Sequence, residues 1–302
     1  MNTQNQKETK QKSVLIAGAT GYLGRYAVKA FKDAGYKVKV LVRNEQKLSQ
    51  PGVGLAPAIR ADVDEIHVGD VTQPNTLKGI CDGVDVVFSS ISLMGQKGSQ
   101  SWHEVDYLGN MHILHEALAS HVQKFIFVSV FNAEKLPNIP IVKAHEDFAI
   151  ELAKSGLAYA VVRPTGYFSD LSAFLPMAQS GRIYLLGNGE ERMNPIHGAD
   201  LAQICVDAVQ GTATDIDAGG PQTYSWNELA NLAFNATNKT KKITHLPLPL
   251  ARTGVKIMRI INRQTADLWD FFVSSAALSH VAPTFGTHYL DQHYLDLAKQ
   301  ES

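Results

Sequence analysis

The sequence predicts an α/β protein in which helices cover both faces of a doubly wound, mainly parallel sheet. Short apolar, β-branched runs alternate with helical patterns over roughly the first 160 residues, and a glycine-rich turn joins the first run to the first helix. Hydrophobic residues make up 45% of the 302 residues, enough for a large core. Runs of this kind are typical of strands buried on both faces. Their alternation with helices indicates βαβ units with right-handed crossovers.

The first half of the chain contains six predicted strands, each a short apolar run, and four predicted helices. The strands cover residues 13–17, 37–42, 65–69, 84–88, 124–129 and 158–163. The helices cover residues 22–35, 75–82, 102–120 and 143–155. Gly35 ends the first helix, because glycine readily adopts the left-handed conformation that follows a last helical turn.

After Pro164 the alternation weakens and helices dominate the prediction. They are expected over residues 174–180, 198–209 and 250–278, and Ser225-Trp-Asn-Glu228 has the pattern of a capping box that opens another helix. Residues 166–302 are therefore expected to form a smaller, mainly helical substrate cap that packs on the sheet as one unit with it. Open α/β sheets bind ligands at the carboxyl ends of their strands, so the cap is expected to lie there.

Composition and charge exclude several classes of protein. The chain has 28 basic and 29 acidic residues, a net charge of −1, so bulk electrostatics indicates no nucleic-acid partner. Its two cysteines, Cys81 and Cys205, form no Cys-x-x-Cys metal motif and imply no disulfide framework. Residues 1–12 are polar and predict a disordered tail rather than a signal peptide. Since no apolar stretch approaches about 18 residues, we expect no transmembrane helix and a cytoplasmic location.

The glycine-rich turn has the sequence Gly18-Ala-Thr-Gly21-Tyr-Leu-Gly24 and lies between a predicted strand and a predicted helix. In this context the first glycine permits a tight turn, the second lets the backbone approach a pyrophosphate, and the third lets the helix pack closely on the strand. The N–H groups and dipole of the helix N-terminus favour the anion. The motif predicts a Rossmann-type NAD(P)-binding domain over residues 13–165. The alternative is a tight turn that binds no ligand.

The type of residue at the end of the second strand usually determines whether such a domain prefers NAD(H) or NADP(H). An acidic residue there would bind the ribose hydroxyls and repel a 2′-phosphate, but this chain has Val42-Arg43-Asn44. Arg43 can hold a phosphate through two parallel hydrogen bonds, and Lys47 adds a second cation. We expect NADP(H) to be preferred over NAD(H). The alternative is that Arg43 is a solvated loop arginine.

Further short stretches follow in an order known from one superfamily. They are Gly69-Asp70-Val71, residues 106–110 and 125–129, Lys143, Gly156-Leu157, Arg163-Pro164-Thr165, Asn194-Pro-Ile-His197 and Asp200-Leu-Ala202. Together with the glycine-rich turn they resemble the atypical branch of the short-chain dehydrogenase/reductase superfamily. The pattern is similar to that of NmrA-like proteins and of enzymes of the divinyl-reductase and isoflavone-reductase type. The resemblance covers about residues 13–210 and fades beyond them.

This resemblance implies that the residues following each strand bind the cofactor. The pyrophosphate would be held by the backbone and side chains of Gly18, Thr20, Gly21, Tyr22, Leu23 and Gly24. The adenine would be bordered by Asp70 and Val71, and the cofactor's ribose would be lined by Ser89, Ser90 and Ile91. The nicotinamide end would be contacted by Ser129, Lys143, Pro164, Thr165 and Gly166.

The chain departs from the superfamily at its catalytic residues. Typical members place a proton-transferring tyrosine four residues before the lysine, where this chain has Ile139, and a serine where it has Val130. Only Lys143 remains, and in isoflavone-reductase-type enzymes a lysine at this position acts on the substrate; a buried lysine suits proton donation. Tyr167 is the second candidate catalytic residue, and its alternative role is a wall of the pocket.

Three functions are compatible with these features. The preferred one is an NAD(P)H-dependent reductase that transfers hydride to a small conjugated carbonyl, a quinone or a similar electrophile. Loss of both the tyrosine and the serine favours a non-catalytic, redox-sensing NAD(P)-binding regulator of the NmrA-like type. The third is a structural accessory subunit similar to the nucleotide-binding subunit of respiratory complex I. The expected partner is a small molecule, and a homodimer is compatible with the sequence.

Two histidine-containing motifs are interpreted as structural. His145-Glu146-Asp147 follows Lys143 on one helix, and adjacent helical positions diverge around the axis, so they cannot converge on a metal ion. A solvated helix face without a metal is expected there. In Asn194-Pro-Ile-His197, a structural turn is preferred over catalysis, with Asp200 capping the following helix.

A basic segment lies near the C-terminus. Its cations recur at helical spacing, with apolar residues around the rest of the helix: Arg252, Lys256, Arg259 and Arg263, with Val255, Ile257, Met258, Ile260 and Ile261. This pattern is compatible with an interfacial membrane helix. The preferred interpretation is that the apolar side packs on the cap or on a second subunit.

Overall fold

The computed structural model describes residues 11–94 and 99–300, so most of the predicted tail lies outside the described residues. Seven strands form one sheet in the order β3-β2-β1-β4-β5-β6-β9, and all of its neighbouring strands run parallel. Its strands are β1 (Ser13–Ala17), β2 (Lys37–Val42), β3 (Glu65–Val68), β4 (Val86–Ser89), β5 (Lys124–Val128), β6 (Ala158–Pro164) and β9 (Asp215–Ala218). The fold class predicted from the sequence is confirmed.

Helices cover both faces of this sheet because its strands alternate apolar side chains between two cores. On β1, Leu15 and Ala17 pack with α2 (Gly109–Ala119) and α3 (Pro140–Lys154). Val14 and Ile16 point to the opposite face, which packs with α1 (Tyr22–Asp33) and α6 (Gly198–Gln210). A π-helical turn, His103–Leu108, leads into α2. The helix predicted over 75–82 is only the 3₁₀ turn Pro74–Leu77, and Gly79 follows it with φ +71°, which ends the helical path.

Two elements after residue 165 return to the sheet layers, since α6 packs along α1 and β9 pairs with β6. The remaining elements surround a third apolar core that contains Phe168, Leu229 and Tyr294. They are α4 (Phe168–Leu171), α5 (Phe174–Gln179), β7 (Ile183–Leu186), β8 (Arg192–Met193), β10 (Tyr224–Ser225), α7 (Trp226–Thr237), β11 (Ile243–Leu246) and α10 (Leu290–Gln300). β7 pairs with β11, and β8 pairs with β10. The capping box at Ser225 and Glu228 is present at the start of α7, as predicted.

The segment predicted as one helix over 250–278 is a helical hairpin. It consists of α8 (Leu248–Ile261) and α9 (Arg263–Ser275), which pack against each other. The break lies at Asn262, whose side-chain oxygen accepts a hydrogen bond from the Thr265 N–H at 2.9 Å and so caps α9. Among the residues that the structure describes, no helix is both long and apolar enough to cross a membrane.

Candidate cofactor-binding site

The predicted cofactor-binding residues follow the strands of the main sheet at one edge, because parallel strands share the position of their carboxyl ends. Gly18 follows β1, Arg43 follows β2, and Asp70 comes two residues after β3. Ser89 ends β4, Ser129 follows β5, and Pro164 ends β6. This is the edge at which open α/β sheets bind ligands.

The glycine-rich turn brings the backbone of β1 and the start of α1 close together. Gly18 has φ +89°, and a Cβ there would lie 2.9 Å from the Ser90 Oγ. A Cβ on Gly24 would overlap the Gly18 carbonyl oxygen, so the third glycine is needed for the helix to pack on the strand. Gly21 is the N-cap of α1, and no side chain caps this helix. The backbone N–H groups of the first turn therefore fit the pyrophosphate of a dinucleotide.

A buried arginine that the sequence analysis did not single out fixes the loop after β2 against this turn. Arg25 is only 3% exposed, and its guanidinium donates hydrogen bonds to the backbone carbonyls of Thr20 (3.2 Å), Lys47 (2.8 Å), Gln50 (2.6 Å) and Pro57 (2.9 Å). Burial lowers the pKa of Arg25. One side chain therefore sets the position of the loop that carries Arg43 relative to the glycine-rich turn.

The residues after β2 present cations on a fixed loop. The Asn44 side chain accepts a hydrogen bond from the Gln46 N–H at 2.9 Å and caps the short 3₁₀ helix Glu45–Ser49. Arg43 and Lys47 are both exposed on this loop.

The residues after β3 are held by hydrogen bonds within their own loop. The Asp70 carboxylate accepts hydrogen bonds from the Thr72 N–H at 2.9 Å and from the Thr72 hydroxyl at 2.8 Å. The Val71 carbonyl bonds to Nδ1 of His112, on α2, at 2.7 Å. A Cβ on Gly109 would lie 2.8 Å from the Val71 Cγ2, so the loop packs tightly against the start of α2.

A buried polar network connects β4 to α3 behind the edge of the sheet. The Ser89 hydroxyl donates to the Asn110 Oδ1 at 2.5 Å, and the Asn110 amide donates to the Asp106 carbonyl at 2.7 Å. The Asp106 carboxylate accepts hydrogen bonds from the Leu93 N–H at 3.0 Å and from Nε2 of His145 at 2.9 Å. The expectation that His145 lies on a solvated face is wrong, because its side chain turns toward Asp106. Its Nδ1 is buried without a hydrogen-bond partner in the described part of the chain.

A second polar cluster lies where β5 and β6 end. The Ser129 hydroxyl donates to the Glu146 Oε1 at 2.7 Å. Arg163 binds the same carboxylate through two hydrogen bonds, of 2.7 and 3.1 Å, and lies 3.2 Å from the Asp215 carboxylate. Glu146 is therefore also held in the structure rather than solvated, since it connects Ser129 to Arg163.

Lys143 lies on the wall of an open cavity. Its ammonium bonds to the Asp147 carboxylate at 2.6 Å, and its side chain is 62% exposed. The burial that would suit a proton-donating lysine is therefore absent. The cavity has a volume of about 470 Å³ and is lined by Ala133, Glu134, Pro137, Val142, Lys143, Glu146, Asp147 and Arg163.

The positions of the missing catalytic residues are occupied by apolar side chains. Ile139 is buried at the N-cap of α3, and Val130 follows Ser129 after β5. Tyr167, the candidate replacement, is the N-cap of α4, and its ring lies 5.8 Å from the ring of Tyr22. Burial raises the pKa of the Tyr167 phenol, which weakens it as an acid.

The loop after β6 is held by its partners in the later part of the chain. The Thr165 hydroxyl donates to the Asn194 carbonyl at 2.6 Å, and a Cβ on Gly166 would lie 2.7 Å from the Met193 Cε. The Asn194 amide donates to the carbonyls of Gly220 (3.2 Å) and Ala282 (2.9 Å). This asparagine therefore connects three segments of the chain.

The helix cap in the Asn194-Pro-Ile-His197 stretch differs from the prediction. His197, rather than Asp200, caps α6, since its Nδ1 accepts a hydrogen bond from the Ala199 N–H at 3.2 Å. Burial lowers the pKa of His197 to about 4, which keeps the ring neutral and able to accept. Asp200 instead binds the N–H groups of Thr287 and His288 at 3.2 and 3.1 Å. No group of three metal-ligating side chains converges within residues 11–94 and 99–300.

The comparisons with known proteins agree with this geometry. The NAD(P)H-binding family model matches residues 18–212. The photosystem II assembly factor Ycf39 of Cyanidium caldarium is 31% identical over 226 residues, which are 74% of this chain and 70% of that protein. The chloroplastic divinyl chlorophyllide a 8-vinyl-reductase of Zea mays is 27% identical over 254 residues, 79% of this chain and 62% of that protein.

Solved structures share the fold over nearly the whole chain. The NADPH-dependent quinone oxidoreductase of Escherichia coli, complexed with NADPH, has a TM-score of 0.72 and 19% identity, with 94% of this chain and 99% of that chain covered. The triphenylmethane reductase of Citrobacter sp., complexed with NADP(H), has a TM-score of 0.72 and 16% identity, with 95% and 100% covered. The chain belongs to the NAD(P)H-binding family, within the atypical branch of the short-chain dehydrogenase/reductase superfamily.

Proposed function

We propose that this protein is an NADPH-dependent reductase that transfers hydride to a quinone or a similar small conjugated carbonyl. The observation that carries the proposal is the open cavity at the ends of β5 and β6, which has the Lys143 ammonium on its wall and no tyrosine beside it. Its volume of about 470 Å³ is in the range of small-molecule sites. The matching fold of a quinone oxidoreductase supports the choice of substrate class.

Reduction of a quinone does not need the missing tyrosine. When bound, a reduced nicotinamide dinucleotide supplies the hydride. The quinone then becomes a hydroquinone monoanion, whose charge is spread over an aromatic ring, and one proton completes the product. The Lys143 ammonium can stabilise the developing oxyanion through its N–H donors. Water in the open cavity can deliver the proton, so a strong buried acid is not required.

The polar cluster at Ser129 has a positioning role in this proposal. Because the Ser129 hydroxyl donates its hydrogen to Glu146, its lone pairs remain available to accept a hydrogen bond from a ligand. The Arg163 guanidinium neutralises the negative charge of the Glu146 carboxylate and fixes its orientation. Ser129 is therefore suited to orient a ligand rather than to protonate it. The raised pKa of Tyr167 and its packing against the core beside α1 and α6 argue against a catalytic acid, and Tyr167 does not line the cavity at Lys143.

The elements of residues 166–302 that lie outside the main sheet are proposed to act as the substrate cap. Their contacts with the loop between β5 and α3 support this role. The Asn132 amide, on that loop, donates to the Ser279 carbonyl at 2.9 Å. A second cavity, of about 280 Å³, lies between Ile139 on the loop and Arg252, Ser274 and Leu278 on the C-terminal side. The cap therefore contacts the segment that leads to Lys143.

The preference for NADPH is tested at the end of β2. Replacing Arg43 with aspartate is expected to weaken NADPH binding at least tenfold, which is about 1.4 kcal/mol, because a 2′-phosphate would face a carboxylate. NADH lacks this phosphate and should be affected much less. Isothermal titration calorimetry with both cofactors measures the difference. Arg60→Asp, at another exposed arginine, is the matched control and should change neither affinity. Equal losses for NADPH and NADH would contradict the assignment of Arg43.

The reductase activity is tested at Lys143. The protein is incubated with NADPH and a panel of quinones, enones and aldehydes, and cofactor oxidation is followed by absorbance. Turnover of at least one quinone is expected, and Lys143→Ala should lower kcat/KM by about tenfold or more, since an oxyanion donor is lost. Lys154→Ala is the control, because this lysine lies on the same helix and also pairs with a carboxylate one turn away. Undiminished turnover by Lys143→Ala would exclude its catalytic role.

A non-catalytic NAD(P)-binding regulator or accessory subunit is the second candidate function. Two observations favour it: Ile139 occupies the position of the tyrosine, and a relative that is 31% identical is described as an assembly factor. Such a protein needs only to bind its partner more tightly with one redox form of the cofactor than with the other. NADPH binding without turnover across the panel, together with a protein partner whose retention depends on the cofactor's redox state, would support this candidate over the reductase.

A further inference from the structure

Helix α8 exposes four large apolar side chains to solvent, which form an apolar stripe along one side. Leu250, Ile257 and Ile261 are 63%, 57% and 75% exposed, and Ile260 beside them is 89% exposed. Soluble proteins tolerate single exposed apolar residues, but a contiguous set indicates a binding surface. Of the apolar residues expected to pack on the cap or on a second subunit, Val255 is buried, whereas Ile257, Ile260 and Ile261 do not pack on the cap.

The orientation of α8 explains why this stripe is exposed. Val255 is the buried residue of α8, and Arg259, one turn later, is held by the α9 carboxylates of Asp267 (3.2 Å) and Asp270 (2.8 Å). The side of the helix with Val255 and Arg259 therefore faces α9. At about 100° per residue, Leu250, Ile257 and Ile261 fall on the opposite side. The hairpin fixes α8 with its apolar stripe directed away from the rest of the protein.

The charge around this stripe indicates the kind of partner. The hairpin carries four cations against two carboxylates, and Arg259 engages both carboxylates. Arg252 and Lys256 are exposed, and within the described part of the chain they form no ion pair. The whole chain has a net charge of −1, so positive charge is concentrated here. A second copy packed on the stripe would bring the two Lys256 side chains toward each other, whereas an anionic surface complements this lysine.

We propose that α8 binds the surface of a membrane that contains anionic phospholipids, lying parallel to it. A helix with Leu and Ile on one side and a lysine, Lys256, at the edge of that side has the pattern of an interfacial helix, with its apolar side buried about 5–10 Å into the headgroup region. Lys256, at the edge of the stripe, binds an anionic headgroup, and such a cation contributes about 1 kcal/mol, or about a fivefold change in affinity. Arg252 lies on the side of α8 that faces α9, beside Ser274 and Leu278, and is not part of the membrane-facing side. This binding does not depend on reductase activity.

The test is co-sedimentation with lipid vesicles at moderate salt. One set contains phosphatidylcholine alone, and the other contains phosphatidylcholine with phosphatidylglycerol. The protein should sediment with the phosphatidylglycerol vesicles only. The double variant Ile257→Gln with Ile261→Gln should bind them at least tenfold more weakly. Ile150→Gln is the matched control, because this isoleucine is 51% exposed on α3 and should leave binding unchanged. Lys256→Gln should weaken binding about fivefold, and Lys154→Gln should not.

Urea unfolding and NADPH binding verify that every variant is folded, since all the replaced side chains are exposed. Failure of the unmodified protein to bind either set of vesicles would overturn the proposal. An equal loss in Ile150→Gln would show that the binding is not specific to α8. Sedimentation velocity tests whether a second copy covers this surface instead. If the protein is a dimer that does not bind vesicles, and the double variant Ile257→Gln with Ile261→Gln is a monomer, the surface is a dimer interface and the membrane proposal is wrong.

Discussion

Replacing Asp106 with alanine is expected to lower the free energy of unfolding by about 2–6 kcal/mol, since each of two buried hydrogen-bond donors left unpaired costs about 1–3 kcal/mol. The Asp106 side chain is completely buried, and it accepts hydrogen bonds from the Leu93 N–H and from His145. Because Nδ1 of His145 already has no partner in the described chain, the variant would leave the whole ring unpaired. Urea unfolding followed by circular dichroism measures the change.

The same substitution should also weaken NADPH binding. The Leu93 N–H lies in the segment after β4, which also contains Ser90 and Ile91, two of the predicted ribose contacts. Asp106→Asn should be less harmful, since an amide retains one acceptor for Leu93 and can donate to His145. Asp33→Ala, at an exposed carboxylate, is the control and should cost little. A loss below about 1 kcal/mol for Asp106→Ala would contradict the structural role of this network.

The network at Asp106 shows where prediction from the sequence ends. The strands and the glycine-rich turn are local signals, because side-chain periodicity and the spacing of Gly18, Gly21 and Gly24 are set by neighbouring residues. The contact between His145 and Asp106 spans 39 residues, and its histidine stands beside Glu146 and Asp147. Charged neighbours in the sequence favour the prediction of a solvated helix face. The side chain of His145 is buried because α3 packs on the π-helical turn, a contact that the local sequence does not indicate.

Arg25 was missed for a different physical reason. Its four partners are backbone carbonyls, which every residue carries, so the sequence contains no complementary side chain that would identify them. The available signal is a charged residue directly after the third glycine, on a helix whose neighbouring positions are buried. The boundary between α8 and α9 is also only weakly indicated by the sequence. Asn262 marks it, but asparagine, although a preferred N-cap, also occurs within helices.

Replacing Gly24 with alanine is expected to abolish measurable NADPH binding and to destabilise the fold by about 3 kcal/mol or more, at the upper end for overpacking. A Cβ at this position would overlap the Gly18 carbonyl oxygen and lie 2.7 Å from its carbon and 2.9 Å from the Ala19 Cα. All of these are backbone atoms, so no flexible side chain can move away. Helix α1 would have to shift away from β1, which displaces the N–H groups that fit the pyrophosphate.

Gly254→Ala is the matched control for this clash. Gly254 also lies within a helix, but a Cβ there meets nothing within 4 Å. Alanine should stabilise α8 by about 0.5–1 kcal/mol, because glycine is the more flexible residue in the unfolded chain. Both variants are measured by urea unfolding and by calorimetry with NADPH. If Gly24→Ala bound NADPH as well as Gly254→Ala does, the close approach of α1 to β1 would not be needed for the cofactor.

Gly21→Ala keeps the same test informative if Gly24→Ala does not fold. A Cβ on Gly21 would lie 3.3 Å from the Gly18 carbonyl oxygen, a contact that a small backbone shift relieves. The variant should therefore fold with a modest loss of stability. Its methyl group would still occupy the space into which the pyrophosphate fits at the N-cap of α1, so NADPH binding should weaken at least tenfold. A folded Gly21→Ala with unchanged affinity would place the pyrophosphate away from this turn.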